Sequence, residues 1–196
     1  MLKIALTGSL SSGKTYALYY FKQQKIPAFS FDQEIAKLIK EDRDVFLAIA
    51  TRFPKAVMEG KIDKKKLVDI VFNDQKPLRA LENILYPKAF KLHDQFLRDN
   101  LKKSVPMVVV EIPLLFEKKL ESLYDKIILA TCSKHLQIKW AMQRDGMTAA
   151  RFGAITRNQL SDAKKRELAD YVIFSGTGGV NVKRQVINLI KVLSNA

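Results

Sequence analysis

Apolar positions along this chain fall into short unbroken runs separated by longer stretches with helical spacing. Leu2-Lys3-Ile4-Ala5-Leu6-Thr7 is a β-prone opening, and Ala28-Phe29-Ser30 follows Pro27. Residues 107–110 carry no polar alternation, and residues 124–130 and 171–174 add two similar runs. Continuous apolar runs alternating with helical sequence predict strands buried on both faces, hence a parallel sheet covered by helices. The expected fold class is α/β, a doubly wound parallel sheet. Such sheets take ligands beyond the carboxyl ends of their strands.

Residues 40–104 interrupt this alternation. Helical patterns cover 41–53 and 64–72, with a polar turn at Gly60-Lys61-Ile62-Asp63 between them. Asn73-Asp74-Gln75-Lys76-Pro77 punctuates, with Asp74 expected as a cap, and a long helical stretch from 78 to about 101 is expected to break at Pro87. The block is too long for one crossover. It reads as a helical excursion that holds a second substrate; an insertion that only adds core is the alternative. Residues 143–167 are polar and carry Arg144, Arg151, Arg157, Lys164, Lys165 and Arg166, which suits short helices of a lid over phosphates, or equally a solvated charged face. Gly176-Thr177-Gly178-Gly179 reads as a turn into a last helix over 180–193.

The chemistry concentrates in Gly8-Ser9-Leu10-Ser11-Ser12-Gly13-Lys14-Thr15, which fits G-x-x-x-x-G-K-[ST] between a predicted strand and a predicted helix. Glycines let backbone N–H groups close on phosphate oxygens, and the following helix turns its positive end to the same anion. Residues 8–16, ending at Tyr16, are therefore the expected nucleotide contacts. Lys14 is expected to reach the β- and γ-phosphates, and the Thr15 hydroxyl to ligate Mg²⁺. Asp32 and Glu111 also follow predicted strands. Asp32 is the candidate general base for an attacking hydroxyl, with an N-cap role as the plain alternative. Glu111 is the candidate Walker-B-type acid that holds the metal or its waters, with burial against a lysine as the alternative. Arg144 is placed to grip phosphates, or to pair with Asp145. His93 and His135 have no partner spacing and read as surface or helix residues.

Composition narrows the partners. The 196 residues suffice for one domain with a sizeable core, at 47% hydrophobic and 28% charged. Lys and Arg total 34 against 20 acids, a formal charge of +14, which favours anionic partners, either nucleic acid or a small polyphosphate. The lone Cys132 makes no internal disulfide and no zinc spacing; it reads as a core residue in a reducing compartment. No leader-like segment or bilayer-length apolar run is evident, so a cytoplasmic location is expected.

Several further segments carry a resemblance: Ala5 through Thr15, Phe31-Asp32-Gln33-Glu34-Ile35-Ala36, Leu81-Glu82-Asn83-Ile84-Leu85-Tyr86-Pro87, Glu111-Ile112-Pro113-Leu114-Leu115-Phe116-Glu117, Gln143-Arg144-Asp145 and Ala169-Asp170-Tyr171-Val172-Ile173. In this order they resemble the dephospho-CoA kinases over nearly the whole length. The resemblance implies a P-loop kinase that uses ATP and Mg²⁺ to phosphorylate the ribose 3′-hydroxyl of dephospho-CoA, the last step of coenzyme A synthesis. It implies a nucleotide-binding core over 1–54, 105–142 and 168–196, a helical CoA-binding insertion over 55–104 and a lid over 143–167. It assigns catalytic roles to Asp32, Lys14 and Arg144. No membrane or nucleic-acid partner is implied, and a monomer or weak homo-oligomer is expected. The chain departs from the family pattern at Ser30, where an aspartate is usual, at Tyr86 in place of a histidine, at Trp140 in place of an arginine, and at Ser9 and Ser11 in place of glycines. Another P-loop small-molecule kinase or a nucleic-acid-stimulated ATPase are the alternatives. A GTPase would want an Asn-Lys-x-Asp-like reader, and a nucleic-acid binder interleaved aromatics on a basic face; neither pattern is found.

Overall fold

The computed structural model describes residues 1–72 and 75–195. The elements run β1 (Leu2–Thr7), α1 (Lys14–Gln23), β2 (Ala28–Ser30), α2 (Phe31–Glu41), α3 (Arg43–Arg52), β3 (Val57–Met58), β4 (Lys61–Ile62), α4 (Lys64–Phe72), α5 (Gln75–Lys102), β5 (Met107–Glu111), β6 (Lys126–Thr131), α6 (Lys134–Met142), α7 (Ala149–Arg157), α8 (Asp162–Leu168), β7 (Tyr171–Phe174) and α9 (Gly179–Ser194). They form two compact units, Met1–Ser30 with Asp99–Ala196, and Phe31–Arg98.

The first unit is an α/β layer built on a five-stranded sheet of order β2-β5-β1-β6-β7. Every pairing in it is parallel. All five predicted strands are present. β5 is buried at each of its five positions, which is why its sequence lacks alternation. Leu18 and Phe21 of α1 and Val182 and Val186 of α9 pack with Ile4, Leu6, Val109, Ile128 and Ile173 of the sheet in one core cluster. Burying side chains of this kind contributes roughly 1.5–3 kcal/mol each.

Backbone crowding shapes the loop from β1 to α1. A Cβ on Gly8 would lie 2.3 Å from the Ala130 carbonyl oxygen of β6 and 2.4 Å from Ser12 Oγ. A Cβ on Gly13 would lie 2.5 Å from Ser175 Cβ and Oγ, and Gly13 has φ 83, in the left-handed region. Neither position admits a side chain. Ser175 Oγ lies 2.7 Å from the Ser12 carbonyl and 3.0 Å from the Thr131 carbonyl, so its single proton serves one of them at a time. Farther round, α8 is tied to the segment after β5. Lys165 is wholly buried, with Nζ 2.9 Å from Glu117 Oε1. The contact is ionic but off the hydrogen-bonding angle. The same Glu117 oxygen accepts from Leu160 N at 2.9 Å.

The second unit is helical, with one small hairpin. Most of the expected insertion falls within it. The helix expected over 41–53 is present as α3, capped by Asp42, which has extended backbone and accepts from Val45 N at 2.9 Å. Lys88 Nζ reaches Asp42 at 2.6 Å and Asp44 at 2.9 Å. The ammonium holds the Asp42 carboxyl below its usual range. Two other expectations change here. The polar turn at 60–63 is part of an antiparallel hairpin pairing Val57 with Ile62, turned by Glu59 at φ 49 and Gly60 at φ 72. The break expected at Pro87 is absent, because α5 runs through it. The cap expected at Asp74 lies outside the described residues. His93, read as a surface or helix residue, is on α5 but buried, its ring stacked on Phe31 at 5.5 Å and Nδ1 3.0 Å from Asp94 Oδ1. His135 is exposed on α6.

Two stability measurements test this account. Gly13→Ala should lower unfolding free energy by about 1–3 kcal/mol, through left-handed strain and the contact with Ser175; a denaturant midpoint equal to wild type would refute the crowding. Lys165→Met should cost about 3 kcal/mol, as for a broken buried pair, because it leaves the Glu117 carboxylate without its cation. Adding Glu117→Leu should recover much of that loss in the same titration, since no charge is then left unpaired.

Candidate active site

The loop, the start of α1 and the ends of β2 and β5 converge in the first unit. Lys14 opens α1 and is 8% exposed. Its Nζ donates to the Gly8 carbonyl at 2.8 Å and to the Ser9 carbonyl at 3.0 Å, so the ammonium is held across the loop. The first amides of a helix have no partner within it and favour an anion. Thr7 Oγ1, Ser11 Oγ and Ser12 Oγ are buried around this loop without a hydrogen-bond partner among the described residues. Buried hydroxyls of this kind call for a partner that the described residues do not supply.

Glu111 ends β5 and is 1% exposed. One oxygen accepts from Thr15 Oγ1 at 3.3 Å and the other from Ser30 Oγ at 2.6 Å. Ser30 is its register partner on β2. These described partners are hydroxyls, not the lysine that the plain alternative required. The oxygens of Thr15 and Glu111 are hard donors suited to Mg²⁺, which takes one or two carboxylates and completes its shell with phosphate oxygens and water. No group of three or more His, Cys, Asp or Glu side chains suited to a metal occurs among the described residues, so an ion here would draw on a bound phosphate. The residues present fit such an ion.

The remaining candidates are more scattered. Arg144 lies in the turn after α6, exposed, its amide bonded to the Ala141 carbonyl at 3.0 Å. Tyr16 follows Thr15, but its phenol turns away toward α9. A Cβ on Gly179 would meet that oxygen at 2.2 Å, and Tyr20 OH donates to it at 3.0 Å. Trp140 on α6 lies near the loop, 3.7 Å from where a Gly13 side chain would begin. Cys132, expected in the core, is half-exposed; burial, the largest influence, pushes its thiol up. It lines a cavity of about 520 Å³ beside the loop with Ser9, Ser12, Lys134 and Arg166.

Asp32 belongs to the helical unit. It is exposed in the first turn of α2, not in the preceding cap position, because the helix already begins at Phe31. In the same unit, Tyr86 OH donates to Glu82 Oε1 at 3.2 Å. Burial, then the Glu82 and Asp32 charges, push the Tyr86 phenol up, which marks Tyr86 and Asp32 as electrostatic neighbours. Sequence reasoning missed Gln137, Gln159 and Ser175, which hold the loop from other elements. Each is a single polar residue in an unremarkable polar stretch, so no signal marks it.

Residues 2–179 match the family model described as dephospho-CoA kinase. A dephospho-CoA kinase of Bartonella quintana is 36% identical over 188 residues, covering 96% of each chain. One from Rhodopseudomonas palustris is 32% identical over 191 residues, 97% of this chain and 95% of that one. Among solved structures, dephospho-CoA kinase from Campylobacter jejuni superposes with a TM-score of 0.66 at 26% identity, over 99% of this chain and 98% of that one. A protein from Thermus thermophilus does so with a TM-score of 0.80 at 28% identity, over 97% and 96%. Shikimate kinase from Bacteroides thetaiotaomicron, at 12% identity and a TM-score of 0.51, shares the fold alone. The family resemblance of the sequence and the P-loop kinase architecture of its sheet thus agree, and the chain belongs to the dephospho-CoA kinase family.

Proposed function

We propose that this enzyme transfers the γ-phosphoryl group of ATP to the ribose 3′-hydroxyl of dephospho-CoA, giving coenzyme A and ADP. The observation that carries the reading is the loop 8–15 with Thr15, Glu111 and Ser30 bonded at its base, in a chain of this family. Phosphoryl transfer needs positioning and charge neutralisation more than covalent participation. Loop amides and the start of α1 bind the triphosphate. Lys14 exchanges its two loop carbonyls for β- and γ-phosphate oxygens. Thr15 and Glu111 would hold Mg²⁺, which would supply positive charge to offset that of the transferring phosphoryl group. Asp32 accepts the proton of the 3′-hydroxyl as its oxygen bonds to the γ-phosphorus, and the bond from that phosphorus to the β–γ bridging oxygen breaks to release ADP. Arg144 lies in the basic lid segment 143–167 and would neutralise the transferring group. The helical unit would receive the acceptor, with Tyr86 and Glu82 beside Asp32. We take the +14 charge to serve two polyanionic substrates, and the setting to be the cytoplasm. No helix among the described residues is long and apolar enough to cross a membrane. A nucleic-acid-stimulated ATPase is not favoured by the family.

The direct test is an acceptor screen with ATP and Mg²⁺, with the position of the new phosphate read by NMR. Turnover with dephospho-CoA at the 3′ position is expected; turnover only with another alcohol would reject the reading. Lys14→Ala should reduce kcat/KM on the order of 10²–10³-fold, the usual cost of a group that stabilises transition-state charge. Wild-type kcat/KM would remove Lys14 from the phosphate site. Asp32→Asn should keep ATP affinity while kcat drops about 10²–10⁴-fold, as for loss of a general base. An undiminished kcat would leave Asp32 with a purely helical role.

A further inference from the structure

The turn at the crest of the loop has an unusual support. Ser12 N donates to the Ser9 carbonyl at 3.1 Å, which closes a β-turn with Leu10 and Ser11 at its centre. Ser11 has φ 55, a left-handed conformation that such a turn normally gives to glycine. A serine there raises the energy of the turn by about 1 kcal/mol or more. A β-turn's own bond leaves its central peptide groups unsatisfied. Both main-chain groups of Leu10 are instead taken by side chains from elsewhere in the first unit. Gln159, between α7 and α8, accepts from Leu10 N at 3.1 Å. Gln137 of α6, itself 8% exposed, donates Nε2 to the Leu10 carbonyl at 2.8 Å. The next residue after Gln159 is fixed in turn, because Leu160 N donates to Glu117, the partner of buried Lys165.

We propose that Gln137 and Gln159 are positioning residues, a two-sided clamp that holds the Leu10 peptide so that the strained loop keeps its nucleotide-receiving form. The clamp links that loop to α6 and to the segment leading into α8. It rests on the reading of the loop as the ATP site. Its polarity is forced by chemistry: an N–H only donates and a carbonyl only accepts. Position 159 must therefore supply an acceptor and position 137 a donor.

This asymmetry gives the test. Gln159→Glu keeps an acceptor on the Leu10 amide, whereas Gln137→Glu sets an acceptor against the Leu10 carbonyl. Both variants add one negative charge beside the same residue, so repulsion of the triphosphate is shared between them. The dissociation constant for ATP with Mg²⁺, measured by calorimetry, should rise about tenfold more in Gln137→Glu than in Gln159→Glu, one hydrogen bond lost and one acceptor left facing another. Amide exchange at Leu10, followed by NMR, should accelerate in Gln159→Met and stay slow in Gln159→Glu. Equal ATP affinities in the two glutamate variants would overturn the clamp. So would a Leu10 exchange rate that Gln159→Met leaves unchanged, and that second measurement decides the matter even where Gln137→Glu does not fold. ATP binding needs no acceptor. A chain that binds ATP yet does not phosphorylate dephospho-CoA would reject the proposed reaction and leave the clamp standing.

Discussion

A carboxylate removed from water at the end of β5 constrains everything around it. Glu111 is 1% exposed, and a carboxyl group at that depth is tolerated only when its oxygens are bonded. Thr15 and Ser30 supply those bonds from two directions, one from the start of α1 and one from the adjoining strand. The carboxylate therefore sets the spacing between the helix that follows the loop and the β2–β5 edge of the sheet. Satisfying one buried carboxyl group fixes three elements at the carboxyl end of the sheet, where open α/β sheets take ligands.

Ser30 shows how a departure from the family pattern fits this constraint. An aspartate at that position would set a second acceptor-only carboxylate against Glu111 in place of a hydrogen-bond donor. The serine hydroxyl instead donates a proton to Glu111 Oε2 at 2.6 Å. Ser11 is a departure of the other kind. It adds strain where glycine would relieve it, and Gln137 and Gln159 meet that strain from outside the loop. Substitutions within a motif are thus answered by residues well away from it.

The sheet was readable from the sequence because its strands are buried on both faces, which leaves unbroken apolar runs such as 107–110. The phosphate loop was readable because its glycines and lysine sit at fixed spacing between a strand and a helix. The start of α3 was readable to within two residues, but its cap at Asp42 was not, since the capping bond appears only when Val45 N is placed. Strands β3 and β4 have two residues each, too few for any periodicity. Burial of His93 follows from the ring of Phe31 laid against it across 62 positions of chain (31 to 93), a contact that no local pattern encodes. Gln137 and Gln159 escaped for the same reason: a side-chain amide that bonds a distant backbone leaves no trace in its own neighbourhood.

Trp140 has a practical consequence. It is the chain's sole tryptophan, and its indole edge lies 3.7 Å from where a Cβ on Gly13 would stand. Emission excited at the red edge of aromatic absorption therefore arises from a single fluorophore adjoining the anion cradle. The chain carries its own optical probe at that place, with no label required.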